Sequence, residues 1–298
     1  MNVIWSKYVQ GVNTLYDTRK LRFHDMFAEQ YKALFDLDAN HPFKILKIGC
    51  GPGALAGALH RWYPNAEITA IDRDSTFISF AQDHEDGRIT FLGGDATALP
   101  FQDNSFDVTI SNTVSEHIEP SQFYGEQLRV LKPGGICLVL SSRKGIHLMP
   151  SCITWNEYEQ AFWKKAEQYD DLMKQYAVCK YPMSEAELPA AMERYGFREI
   201  MTGFATVDLT PDNPKFSSEM ARDIINANRE TALDGIETVF RTIPQAFTAE
   251  EVESMKSLAN TKYDTRIKQY NCGEKQWDTD VSLSLIHISE PTRLALIS

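Results

Sequence analysis

FKILKIGCGPGALAGAL, residues 43–59, decides how the rest of the chain is read. Phe43, Ile45, Leu46 and Ile48 form a short apolar run that stops at glycines 49, 51 and 53, and a segment rich in alanine and leucine follows at once. That order is a buried strand, a tight turn and the start of a helix. Glycines this close together let backbone approach a ligand, and the first N–H groups of a helix have no partners within it. The same kind of turn also serves packing in many α/β folds, so its meaning depends on the other strand ends of the chain.

Working outward, residues 43–142 alternate between strand and helix patterns. Strands are expected at 43–48, 67–72, 89–92, 106–111 and 136–141. Between them, Leu55, Leu59 and Trp62, then Phe77, Phe80 and Ala81, then Tyr124, Leu128 and Leu131 recur at helical spacing. Near-continuous apolar strands joined by helices predict an α/β fold with a mostly parallel sheet covered on both faces. Ligands of such sheets sit beyond the carboxyl ends of the strands, which makes the residues just after each strand the ones to inspect.

Those residues are polar and suited to a nucleotide. The first strand ends in GCGPG. The second ends at Asp72, where a carboxylate can accept hydrogen bonds from ribose hydroxyls. A helix cap is the packing alternative for Asp72, although Asp74 or Ser75 can do that job. The third runs into GGDATALPF, which sets Asp95 beside Ala96: a carboxylate for an exocyclic amine next to a backbone N–H for a ring nitrogen. The fourth opens into SNTVSEHIE. A nicotinamide site is disfavoured by the GxGxG spacing, because the dinucleotide fingerprint is GxGxxG.

The series ILKIGCGPG, ITAIDRD, FLGGDATALPFQDNSFDVTISN and LRVLKPGGICLVLS, in this order and spacing, resembles the class I S-adenosylmethionine-dependent methyltransferases, closest to their small-molecule (methyltransferase domain type 11-like) branch. The resemblance covers about 43–142. It implies a Rossmann-like, mostly parallel seven-stranded sheet with helices on both faces, plus helical N-terminal and cap segments. It implies S-adenosylmethionine as cofactor and in-line methyl transfer to an O, N, S or C nucleophile on a small-molecule acceptor. By the same resemblance Gly49, Cys50, Gly51 and Gly53 line the methionine part of the cofactor. Asp72 holds the ribose, Asp95 and Ala96 read the adenine, Asn112 lies on the sulfonium side, and Arg73 is counted among the cofactor-binding residues. No metal is implied.

Two residues stand apart. Lys47 occupies a place where the family usually has Asp or Glu, and lysine offers donors only. Loss of an acidic anchor there is worth about 1–3 kcal/mol. The alternatives are a tolerated change whose lysine contacts the cofactor carboxylate instead, an error in the sequence, or a protein that binds the cofactor with impaired or lost transfer. His117, in the loop after the fourth strand, is the candidate base for an acceptor that must lose a proton. Its alternative is a histidine that merely packs in the loop.

The remaining chain is read more coarsely. Residues 1–40 carry Tyr16, Phe23, Phe27, Tyr31 and Leu34 near helical spacing and form an N-terminal helical or lid segment. Residues 151–181 form an inserted cap with an aromatic stripe, and 182–282 complete a single domain of residues 1–282. Within it, capping boxes are expected at Ser184/Glu187 and Thr248/Glu251, with a helix at 217–233 and a last strand starting near Trp277. Residues 283–298 read as translation of a transposase-type sequencing adaptor and are set aside. The net charge of −11 argues against nucleic acid or an anionic membrane as partner. No apolar run is long enough to span a bilayer. The five cysteines show no paired spacing, which fits reduced thiols in a cytoplasm.

Overall fold

FKILKI becomes β1 (Phe43–Ile48), buried from Ile45 to Ile48, as an apolar strand with neighbours on both sides must be. The computed structural model describes residues 4–167, 172 and 178–291, with the backbone alone for 144 and 285–291. The further strands are β2 (Ala66–Asp72), β3 (Thr90–Gly93), β4 (Phe106–Asn112), β5 (Leu131–Leu148), β6 (Phe197–Leu209) and β7 (Thr279–Pro291). Together they make one seven-stranded sheet in the order β3-β2-β1-β4-β5-β7-β6. β1 pairs in parallel with β2 and β4, so that Ile45 lies opposite Ile68 on one side and Val108 on the other. β2–β3 and β4–β5 are parallel as well. This is the Rossmann-like, mostly parallel seven-stranded sheet that the resemblance implies. The strand order reverses between β1 and β4, and a sheet of this kind binds its ligand at that switch point.

The helices are α1 (Trp5–Tyr8), α2 (Val12–Arg22), α3 (Ala28–Phe35), α4 (Ala54–Trp62), α5 (Ser75–His84), α6 (Pro120–Val130), α7 (Glu157–Ala166), α8 (Glu187–Arg194), α9 (Ser218–Thr242) and α10 (Ala249–Asn271). The chain divides into two compact units, residues 22–143, 177–206 and 283–298, and residues 1–21, 144–176 and 207–282. The first holds β1 to β4 and a core of Leu46, Ile48, Ile71, Phe123, Val139 and Phe197. The second is largely helical: Phe162 of α7, Ile236 and Val239 of α9 and Val252 and Met255 of α10 share one apolar cluster.

Local signals act where the sequence put them. Thr248 caps α10 in a reciprocal box with Glu251, and Phe247 and Val252 are buried in the same cluster as its staple. Replacing Thr248 with alanine is expected to cost about 1 kcal/mol, read as a lower urea midpoint; an unchanged midpoint would show the cap to be idle. Ser184 and Glu187 exchange hydrogen bonds at the start of α8. Pro189 is tolerated there because a first-turn N–H has no helical partner to lose.

Three boundaries differ from expectation. The fifth strand was expected at 136–141; instead β5 already pairs at Leu131, opposite Phe106, and the ladder slips before Ile136. A bulge absorbs Pro133, Gly134 and Gly135, residues that a regular ladder rejects. α9 runs on to Thr242, because Ile236, Val239 and Phe240 continue the apolar face past Leu233. β7 extends to Pro291, through the stretch read as adaptor, whose alternating LSLIHIS suits a strand. Of the expected cap stripe, Phe162 is buried while Trp155 and Tyr158 are exposed; Tyr169, Met173 and Tyr176 lie outside the described residues.

Candidate functional site

The chain has to turn at once after Ile48, and Gly49, Gly51 and Gly53 do so with φ of +60°, +54° and +100°, a region L side chains resist. Space enforces the choice as well. A Cβ on Gly49 would lie 2.5 Å from Val114 Cγ2, and one on Gly53 would lie 3.0 Å from Ala81. α4 then begins with no side-chain cap on its N-terminal N–H groups, which leaves donors for an anionic or carbonyl group of a ligand.

Hydrogen bonds lace the strand ends together. Asp72, at the end of β2, accepts from the Gly51 N–H through Oδ2 at 2.8 Å and from the Asp74 N–H through Oδ1 at 2.9 Å. The Cys50 N–H donates to the Ile71 carbonyl at 3.0 Å, and the Gly94 N–H to the Asp72 carbonyl at 2.9 Å. The glycine turn, the end of β2 and the loop after β3 are thereby one connected ledge. Burial raises the Asp72 carboxyl above its ordinary pKa, opposed by the two N–H donors and by Lys47. Burial also raises the Cys50 thiol, leaving it an apolar filler at neutral pH.

Lys47 is 1% exposed. Its Nζ donates to the carbonyls of Ile48 at 2.7 Å and Gly49 at 2.9 Å. The lysine therefore braces the glycine turn, a role an acidic side chain cannot take with the same acceptors. Lys47→Met keeps the stem and removes those donors; an expected loss of about 1–3 kcal/mol in urea unfolding follows from the stranded carbonyls. An unchanged unfolding curve would mean that the brace adds nothing to stability.

On the other strand ends, Asp95 Oδ1 takes both the N–H and the hydroxyl of Thr97 at 2.8 Å. Its Oδ2 has no partner among the described residues and is the atom left for a ligand amine. Ala96 packs against the core. Arg73 follows Asp72 and is exposed. Asn112 closes β4, its amide donating to the Thr113 hydroxyl at 3.4 Å, and Thr113 turns the chain with φ +52°. Val114, which sequence reasoning did not single out, fills the space over Gly49; a lone valine in a polar loop was its only trace. The glycine cradle and the open acceptor on Asp95 fit S-adenosylmethionine.

His117 is held from two sides by backbone. Its Nδ1 accepts the Cys179 N–H at 2.8 Å. Burial, then the charge of Arg73, push its pKa down to about 4, against a backbone hydrogen bond at Thr113. The ring is therefore neutral at neutral pH, with its Nδ1 engaged by backbone. A pKa below the ordinary value of about 6.5 means the unfolded chain binds more protons between those two values. His117 thus contributes stability above pH of about 6.5 that is lost as pH falls towards about 4. Between pH 7 and 4.5 the melting temperature of wild type should fall further than that of His117→Asn; parallel curves would contradict this.

Among the described residues no group of three or more His, Cys, Asp or Glu could hold a metal, and no helix is long and apolar enough to cross a membrane.

Residues 46–139 match the model of a family described as a methyltransferase domain. A fatty-acid O-methyltransferase of Mycolicibacterium smegmatis is 38% identical over 103 residues, 34% of this chain and 37% of that protein. A malonyl-[acyl-carrier protein] O-methyltransferase of Xylella fastidiosa is 32% identical over 127 residues, 41% of this chain and 43% of the other. The matches thus span less than half the length of these curated relatives. Among solved structures, Haemonchus contortus phosphoethanolamine N-methyltransferase 2 in complex with S-adenosyl-L-methionine superposes with a TM-score of 0.51 at 17% identity, covering 97% of this chain and 59% of that one. That likeness is one of fold.

Proposed function

We propose that this chain, a class I S-adenosylmethionine-dependent methyltransferase by its 46–139 domain, moves the methyl group of that cofactor in line onto a small-molecule acceptor. The observation that carries the proposal is the ledge: Asp72 tied to Gly51 where the strand order of the sheet reverses. In this reading Gly49, Cys50, Gly51 and Gly53 approach the methionine part, with Lys47 bracing their turn. Asp72 and Arg73 address the ribose, Asp95 and Ala96 the adenine, and Asn112 the sulfonium side. When bound, the cofactor supplies a methyl group already activated on sulfur. The protein's work is alignment and exclusion of water. His117, neutral and bound to backbone, then orders the loop after β4, and the acceptor is one that needs little help to lose a proton.

A reading as a binding protein without transfer, suggested by Lys47, is not favoured: the matched relatives are named as methyltransferases, and Lys47 has a bracing role of its own. We place the reaction in the cytoplasm, without nucleic acid or membrane as partner, on the acidic charge and the unpaired cysteine spacing. The test is incubation of the purified chain with methyl-labelled cofactor and a metabolite extract, followed by identification of labelled products. A labelled small molecule whose yield survives in His117→Ala supports the reading. Cofactor binding with no labelled product would restore the binding-only alternative, and loss of turnover in a folded His117→Ala would return His117 to the role of base.

A further inference from the structure

The helical unit contains a cavity of about 310 Å³, within the range of small-molecule sites. All its lining residues belong to residues 144–176 and 207–282, and none is among those assigned to the cofactor. Leu148, Met149, Ile153, Trp163, Ile236 and Met255 give it an apolar body. Trp155 lines it too, half-exposed and stacked on Trp163 with ring centroids 5.8 Å apart.

Two polar groups in the wall are unspent. Tyr263, on α10, is only 7% exposed, yet its hydroxyl makes no hydrogen bond among the described residues. Asn228, on α9, presents a side-chain amide that likewise has no partner there. A phenol hydroxyl in a cavity wall with no protein partner is a donor and acceptor open to a ligand. Burial raises the Tyr263 hydroxyl to about 12, so it stays a neutral donor at working pH.

Two of the three carboxylates of the wall are already matched by a cation. Glu159 pairs with Lys262, Asp278 with the buried Arg266, and Asp280 lies 3.8 Å from His147. An anionic ligand would meet three carboxylates and no unpaired lysine or arginine in the wall. We infer that this cavity is a binding site for a neutral small molecule with an apolar body and one hydroxyl or carbonyl group, which the Tyr263 hydroxyl and the Asn228 amide recognise. The site does not depend on methyl transfer.

The test is calorimetric titration of the full chain with 4-pentylphenol, with 4-pentylbenzoate as its charged counterpart. The expected result is one saturable site for the phenol and affinity at least tenfold weaker for the benzoate. Tyr263→Phe keeps the ring and should weaken phenol binding about tenfold, the share of one hydrogen bond. Ala232→Phe, which fills the cavity from α9, should weaken it by more than about 30-fold. No saturable heat, equal binding of phenol and benzoate, or a Tyr263→Phe protein that binds like wild type would each overturn the inference.

Discussion

Replacing Asp72 with alanine is expected to weaken binding of S-adenosylmethionine about 100-fold. The carboxylate has two jobs at the end of β2. It holds the Gly51 and Asp74 N–H groups at 2.8 and 2.9 Å, and in the proposed complex it also accepts from the ribose. Each charge-assisted hydrogen bond to a ligand is worth about 1.5 kcal/mol, so two of them account for about 3 kcal/mol, or about two orders of magnitude in affinity. Freeing the glycine turn adds an ordering cost to every binding event. Asp72→Asn keeps one carbonyl acceptor and should fall between, near 10-fold. The readout is the dissociation constant by calorimetry, with circular dichroism to show that the variant is folded. A folded Asp72→Ala protein within threefold of wild type would remove Asp72 from the site.

The largest effect on stability is expected at Arg266, in the helical unit. Its guanidinium is fully buried. Nε and Nη2 donate to Asp278 Oδ1 at 2.9 and 2.6 Å, and Nη2 also donates to Asp212 Oδ2 at 2.8 Å. Asp212 Oδ2 in turn receives the N–H groups of Gln276 and Trp277. One cation therefore ties α10 to the segments on either side of it in sequence. Arg266→Met removes that cation and leaves two carboxylates away from water. Breaking a buried pair from one side costs about 3–5 kcal/mol, far more than the pair adds over an apolar replacement of all its members. Urea unfolding should show that loss. The triple replacement Arg266→Met, Asp212→Asn, Asp278→Asn should recover part of it. A single variant within about 1 kcal/mol of wild type would show that the trio is not an electrostatic clasp.

How much of this was legible beforehand depends on how local the cause is. β1 was readable to the residue because an apolar run ending in glycines has few other solutions, and Gly49, Gly51 and Gly53 announced their positive φ by being glycines. The Thr248/Glu251 box was readable because its two hydrogen bonds join residues three apart. Asp72 and Asp95 stand out by their place after apolar strands, whereas their hydrogen-bond partners Gly51 and Thr97 do not. The misses are non-local. Lys47 looked like a charge reversal until its Nζ was seen on the carbonyls of Ile48 and Gly49. His117, the candidate base, holds on its Nδ1 the N–H of Cys179, 62 residues away, a partner no local pattern announces. Arg266, Tyr263 and Asn228 carried no signal, since nothing in a helix pattern says which residue will meet a buried ion pair or face a cavity.

Calorimetric titration of the purified chain with S-adenosylmethionine, with NADH as competitor, tests the central claim most directly. The expected result is one saturable site per chain, insensitive to NADH and lost together with the Asp72 carboxylate. A folded chain that takes up no S-adenosylmethionine, or that binds it equally well in Asp72→Ala, would contradict the assignment of the glycine turn.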